Sequence, residues 1–201
     1  MAQTGFMFFQ RFQQVETGIQ TSTKGIGLGL NIAQEMVDLN LGEMSVESTV
    51  GQGSTFSFSV PMAQPSEVLR RYLDRLARDR GNAATVSLIQ TSIDQAAEMD
   101  RAAAADCFLN FILRGDDLLF RPQPHQWLLV VPTPPIELPC VANRIRDEYL
   151  AANRRRPHSP LPPFELSVLN TWPVLTGRDE ILACFGPFFD AVDALPAIAA
   201  N

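Results

Sequence analysis

Hydrophobic and polar positions alternate in two different rhythms along the chain. Past Leu28, the residues Ile32, Ala33, Met36 and Val37 recur at helical spacing while Asn31, Gln34, Glu35 and Asp38 take the opposite side, which predicts an amphipathic helix ending near Gly42. The rhythm then changes to period two. Met44, Val46 and Ser48 point one way, and after Val50-Gly51-Gln52-Gly53 the residues Phe56, Phe58 and Val60 do the same, which predicts a β-hairpin with one apolar face. Ser66 is placed to cap a helix whose Val68, Leu69, Tyr72, Leu73 and Leu76 line one side, with Gly81 ending it. A strand is expected over 84–89, a helix over 94–113, paired strands at 118–120 and 127–131, a helix over 141–153, a strand over 164–170 and a last helix over 178–194. Strands interleaved with helices in this order predict an α/β (α+β) sandwich with helices packed on a mainly antiparallel sheet.

Composition divides this pattern in two. Up to Met62 the chain is rich in Gly, Ser, Thr and Phe; beyond it come Arg, Ala, Leu and Pro. Pro61-Met62-Ala63-Gln64-Pro65 would stop a strand and leave a short linker, so the expected organisation is a unit at 1–62, a linker at 63–65 and a second unit at 66–201. With 46% hydrophobic and 19% charged residues, the chain has enough apolar content for a core and too little charge for wholesale disorder. A formal charge of −6 argues against nucleic acid or an anionic lipid surface as partner, because both need a basic surplus. The run Arg154-Arg155-Arg156 reads as a solvated loop.

Three cysteines, Cys107, Cys140 and Cys184, lie far apart without metal-ligand spacing, and His125 and His158 form no pattern with them, so no metal site is expected. The odd cysteine count without a signal-like start suggests a reducing, cytoplasmic setting, and no apolar run reaches the ~20 residues that a membrane-spanning helix needs.

Gly25, Gly27 and Gly29 open the first helix. Alternate glycines let a backbone approach a ligand closely, and free N–H groups at a helix start can cradle phosphate, although such a string also serves as a flexible turn. The surroundings favour the ligand reading. The string FQRFQQ (Phe9 to Gln14), a polar stretch to Lys24, then GIGLGLNIAQEMVDLNLGEMSVESTVGQGSTFSFSVP resembles the C-terminal half of a sensor histidine kinase catalytic domain, a Bergerat-type ATPase. The resemblance implies a partial fold of one helix and a hairpin, with ATP and magnesium as cofactors and a response regulator as partner. It implies that Phe9 and Phe12 anchor a mobile ATP lid, that Gly25, Gly27 and Gly29 contact phosphate, and that Leu28 and Leu30 pack. Lys24 either neutralises phosphate or is merely solvated. Gly51, Gly53, Ser54 and Thr55 are expected to be structural parts of the hairpin turn. Where the family often has His-Gly-Gly after the helix, this chain has Asn40-Leu41-Gly42.

Two family parts do not occur in these 201 residues: the Asn-bearing helix that holds magnesium and the Asp-x-Gly-x-Gly segment that reads adenine. A helix pair with a phosphoacceptor histidine is likewise missing. Without magnesium to offset the γ-phosphate charge, phosphoryl transfer loses its main electrostatic support, so the chain alone is expected to be inactive as a kinase. The expected partner is a missing upstream kinase segment or another chain that covers the apolar face of the hairpin unit.

The order β-α-β-β-α-β after a leading helix is similar to the GGDEF, or diguanylate cyclase, family, with a generic ferredoxin-like domain as the plainer alternative. Asp117, Arg121, the pentad Gln123-Pro124-His125-Gln126-Trp127 and the strand Leu128 to Pro132 fall in that family's register, but its catalytic letters are replaced. Pro124 stands for a glycine, His125 and Gln126 for acids, and Gln90, Thr91 and Ser92 offer no metal-binding Asp. Cyclase activity is therefore expected to be absent, with His125 an ordinary turn residue. Arg114 and Asp117 form an Arg-x-x-Asp pair at the offset of the family's inhibitory site, which implies cyclic di-GMP; a helix-end salt bridge or cap is the competing explanation. Arg144 and Arg146 could add positive potential there. A sheet-mediated homodimer is a further possibility for this unit.

Overall fold

The computed structural model describes residues 28–49 and 51–193, and it contains five α-helices and two antiparallel sheets. The expected mixed α/β class is therefore observed. The chain divides into two compact units, Met1–Tyr72 and Leu73–Asn201.

In the first unit, helix α1 (Gly29–Leu39) is followed by strands β1 (Glu43–Thr49) and β2 (Gly53–Ser59), paired in one antiparallel register from Glu43↔Ser59 to Thr49↔Gly53. The turn between them has Gly51 at φ +80° and Gly53 at φ +104°, conformations that a side chain would strain. Met44 pairs with Phe58 and Val46 with Phe56, so the four apolar side chains share a face as the alternation requires. That face is poorly covered: Phe58 is 69% exposed and every residue of β2 is exposed. Helix α1 has no buried residue, and Ile32, Met36 and Leu39, spaced i, i+4, i+7, are all exposed.

The α1–β1 junction is tighter. Asn40 and Leu41 close the helix, and Leu41 adopts φ +56° in the left-handed region that glycine tolerates best. Gly42 follows, buried, its N–H donating to the Val37 carbonyl at 2.8 Å; a Cβ there would collide with the Ser59 carbonyl and the Val37 side chain. Helix α2 (Pro65–Arg80) begins one residue before the expected Ser66 cap, because Pro65 presets the helical φ and lacks the N–H that a cap would satisfy. Its Arg71 holds this unit together: Nε donates to Glu67 at 2.8 Å, and Nη1 reaches the Leu41 carbonyl at 3.4 Å and Ser59 Oγ at 3.5 Å. The hydrogen bond from Arg71, then those from Arg70, hold the Glu67 carboxyl below its ordinary 4.5. This clamp is in place above that value and released as pH falls through the lowered one.

The second unit continues with β3 (Thr85–Ser92), α3 (Met99–Ile112), β4 (Leu118–Gln123), β5 (Gln126–Val131), α4 (Leu138–Arg154), β6 (Glu165–Pro173) and α5 (Val174–Asp193). The sheet order is β4-β5-β3-β6 with every pairing antiparallel, the order of a ferredoxin-like sandwich. The central strand β3 is apolar on both faces. Ile89 joins Trp127, Leu129 and Val131 beneath Ala102, Ala105, Leu109 and Ile145 of α3 and α4. Val86 and Leu88, with Leu128 and Val130, point to the other face, where Phe185 and Phe189 of α5 pack against Phe120 with ring centroids 6.0 and 5.4 Å apart. Ser87 is fully buried but satisfied, with the Thr133 carbonyl and Thr171 Oγ1 each at 2.8 Å.

Helix α3 starts later than expected because Asp94 accepts from the Ala96 N–H and its carbonyl from that of Ala97, which makes 94–97 a turn. On the sheet edge, β6 carries a bulge at Leu169, between Asn170, opposite Leu88, and Val168, opposite Ile89. The Thr171 N–H is taken by the side chain of Asn170 at 2.8 Å.

Two substitutions at adjacent residues test the junction of the first unit. Leu41→Gly is expected to stabilise the protein by about 1 kcal/mol, since only the left-handed backbone is relieved. Gly42→Ala is expected to destabilise it by about 1–3 kcal/mol through overpacking. Chemical denaturation monitored by circular dichroism measures both.

Candidate functional site

Two regions hold the residues that the sequence singles out. In the first unit, Phe9, Phe12, Lys24, Gly25 and Gly27 lie outside the described residues. Leu28 and Gly29 are described, and they form the start of α1. Leu28 is the N-cap and its carbonyl accepts the first helical bond, from Ile32 at 2.9 Å. No side chain caps this end and the first turn holds no acidic residue, so no carboxylate within that turn offsets the partial positive charge of the helix start. A Cβ built at Gly29 would meet nothing within 4 Å, so the space beside it is open. Such an end can accept an anion through backbone donors.

The second region surrounds the β4–β5 hairpin. Trp127 is fully buried, and its indole N–H donates to Asp106 Oδ1 on α3 at 2.8 Å. Arg121 lies over the Trp127 ring at 5.3 Å, donates to the Pro124 carbonyl at 2.7 Å and stands 4.0 Å from Asp106. The turn at Pro124 and His125 is held from the other side as well. The Ile93 N–H donates to the His125 carbonyl at 3.1 Å, and His125 Nε2 lies 3.0 Å from the Ala97 carbonyl. His125 is thus engaged as a turn residue. A cleft of about 590 Å³ opens beside this turn, lined by Gln90, Ser92, Ile93, Gln95, Gln123, Pro124, His125 and Gln126.

The structure brings Arg114 and Asp117 together through the backbone. Asp117 Oδ2 accepts from the Arg114 N–H and the Asp117 N–H donates to the Arg114 carbonyl, both at 2.9 Å, which closes the turn after α3. The Asp117 side chain is only 4% exposed, and Arg144 of α4 pairs with it at 3.5 Å. The Arg114 side chain is exposed. Arg144 Nε is buried with no hydrogen-bond partner, whereas Arg146 reaches Asn143 at 3.5 Å. Neighbouring Asp116 ties this loop to α2 through Arg80 at 2.7 Å and Arg75 at 3.8 Å.

Among the described residues no group of three or more His, Cys, Asp or Glu gathers as a metal site, and no helix is long and apolar enough to cross a membrane. The cysteines are free; burial pushes the Cys184 thiol up, while Cys107 and Cys140 are exposed.

Sequence reasoning placed the hairpin pentad but missed the Arg121–Trp127–Asp106 assembly, because Asp106 sits on a different element and only the helix phase of α3 brings it to the indole. It also missed the convergence of four glutamines on one cleft. The signal available was the break in the apolar face of β3 at Gln90.

Comparison with known proteins gives the first region a family likeness. Residues 3–64 match the family described as histidine kinase-, DNA gyrase B-, and HSP90-like ATPase. The chain is 31% identical over 162 residues to the circadian input-output histidine kinase CikA of Synechococcus elongatus, which covers 78% of this chain and 20% of that protein. It is 32% identical over 94 residues to the sensor histidine kinase RcsC of Salmonella typhimurium, covering 47% of this chain and 10% of that one. Hybrid signal transduction histidine kinase G of Dictyostelium discoideum is 46% identical over 57 residues, 28% of this chain and 2% of its own length. The chain therefore spans a fifth or less of these relatives. No solved structure matches. The N-terminal region is thus similar to the ATPase region of sensor histidine kinases, a family that binds ATP.

Replacing Asp106 by Ala is expected to cost about 1–3 kcal/mol, since it leaves a buried indole N–H unpaired. Asp106→Asn, which keeps an acceptor, should recover most of that loss in thermal unfolding.

Proposed function

We propose that this chain works in two-component signal transduction as the lid-and-hairpin half of a histidine kinase ATPase, with its nucleotide site completed by polypeptide outside these 201 residues. The observation that carries this reading is the uncovered apolar surface of the first unit. Phe56, Phe58, Ile32, Met36 and Leu39 all remain in solvent, although the family likeness of residues 3–64 is that of a folded ATPase. In this reading Gly25, Gly27, Leu28 and Gly29 bring the start of α1 against the triphosphate, with Lys24 adding charge and Phe9 and Phe12 anchoring the lid. ATP and magnesium are the cofactors, a response regulator is the downstream partner, and the setting is cytoplasmic.

The second unit is in this proposal a GGDEF-like domain without cyclase activity, used for interaction or sensing. The hairpin cleft supports it: the lining offers amides, a hydroxyl and an imidazole, and no carboxylate to hold magnesium beside a triphosphate. The Arg114–Asp117 pair as a cyclic di-GMP site is a second reading. It is favoured by the exposed Arg114 side chain and by the unpartnered Arg144 Nε beside Asp117. The turn geometry favours Asp117 as a structural cap.

Calorimetric titration with magnesium-ATP tests the first reading. The chain alone is expected to show no saturable micromolar binding. Addition of a histidine kinase segment with the Asn-bearing helix and the Asp-x-Gly-x-Gly strand should restore it, and Gly25→Ala or Gly27→Ala should then weaken it about tenfold. Micromolar binding, or phosphoryl transfer, by the chain alone would overturn the proposal. For the second reading, cyclic di-GMP affinity that survives Arg114→Ala unchanged, or no affinity at all, removes it.

A further inference from the structure

A second cleft, of about 560 Å³, opens in the second unit where the end of β3, the start of α3 and the start of β6 come together. It shares only Ser92 and Ile93 with the cleft beside the β4–β5 turn. Its lining is of two kinds. Ile93, Ala96, Ala97, Pro162 and Pro163 present carbon surface, and the two prolines bring no N–H of their own. Asp94, Arg101 and Glu165 supply charge, each from a different stretch of chain: the turn after β3, the first turn of α3 and the first residue of β6. The volume is in the range of small-ligand sites.

The backbone that carries these groups is held in place. Asp94 Oδ1 accepts from the Ala96 N–H at 2.9 Å, the Asp94 carbonyl accepts from the Ala97 N–H at 3.0 Å, and the Ala97 carbonyl lies 3.0 Å from His125 Nε2. Glu165 sits opposite Ser92 in the ladder. Just before Pro162, the buried Leu161 donates its N–H to Asn153 Oδ1 at 2.7 Å and accepts at its carbonyl from the Tyr149 hydroxyl at 3.3 Å. The charged tips are open by contrast. Asp94, Arg101 and Glu165 are exposed, and among the described residues neither Arg101 nor Glu165 makes an ion pair or a side-chain hydrogen bond. Opposite charges that share a cleft yet do not pair with each other leave room between them for a ligand that carries both signs.

We propose that this cleft binds a free basic amino acid. Such a molecule has one carboxylate and two cationic groups, the inverse of the one guanidinium and two carboxylates on the walls. Arg101 meets the ligand carboxylate with paired N–H donors, and Asp94 and Glu165 receive the α-ammonium and the side-chain cation. The methylene stem between these charges lies along the proline and alanine surface. A neutral amino acid would leave one wall carboxylate unmatched, and an acidic one would set like charge against it. The site belongs wholly to the second unit, so it stands or falls independently of the proposed ATP site in the first.

L-Arginine is the probe, titrated into the full chain and followed by calorimetry and by two-dimensional NMR of backbone amides. Saturable binding is expected, with shifts concentrated at Ser92 to Ala97, Arg101 and Glu165. Agmatine, which lacks the carboxylate, and L-citrulline, which lacks the side-chain charge, are each expected to bind about tenfold more weakly, the loss of one charge-assisted contact. Arg101→Gln should weaken L-arginine by about the same factor and leave agmatine unchanged, because the two changes remove opposite ends of one contact. Glu165→Gln should weaken L-arginine about tenfold. Neither exposed side chain has a partner to lose, so circular dichroism should show both variants folded as the parent is. Arg78→Gln, at an exposed position of α2 outside the cleft, serves as the unaffected control. Absence of saturation up to roughly 10 mM would overturn the proposal. So would agmatine binding as tightly as L-arginine, tighter binding of L-glutamate, an equal loss of L-arginine and agmatine in Arg101→Gln, or unchanged L-arginine affinity in both cleft variants.

Discussion

Burial of both faces of β3 is the constraint on which the second unit depends. A central antiparallel strand has its backbone satisfied by β5 and β6 and must find apolar cover above and below. Two independent cores result, one under α3 and α4 and the other under α5, and neither survives loss of the strand between them. Two fully buried polar residues, Ser87 and Thr91, lie on β3. Ser87 is repaid with two hydrogen bonds, while Thr91 Oγ1, opposite Trp127, has none.

The first unit lacks such a strand, and its energetics differ accordingly. Its hairpin is a single pair, which is marginal in water unless an apolar face is covered. What orders the described part is local: the Leu41–Gly42 closure, with Gly42 seated against Val37, and the Glu67–Arg71 clamp that reaches back to Leu41 and Ser59. Leu41 sits in the left-handed region, so the chain bears backbone strain at that turn that a glycine would avoid.

Much of the fold was legible in the sequence because periodicity reports burial. The shift from helical spacing to alternation around Gly42 and the fully apolar Leu128 to Val131 both map onto observed elements. Boundaries were less legible. β3 runs on to Ser92 because ladder pairing with Gln126 and Glu165 continues past the last apolar residue, and α3 waits until Met99 because the Asp94 side chain offers the backbone a competing turn. In the site, Asp117 was recognisable as a chemical group. Its use as a turn closure paired with Arg144 required knowing that α4 passes beside it.

The outer border of β6 shows how the second unit meets its neighbours in a crowded solution. Unpaired peptide groups along a nine-residue strand with Leu166, Val168 and Leu169 in solvent invite runaway stacking of one molecule on the next. The bulge at Leu169 breaks the regular ladder at mid-strand, Asn170 occupies the Thr171 donor with its own amide oxygen, and Pro173 supplies no donor at the far end. The strand is left able to join its own sheet yet unsuited to template a fibril, a safeguard written into three residues of one strand.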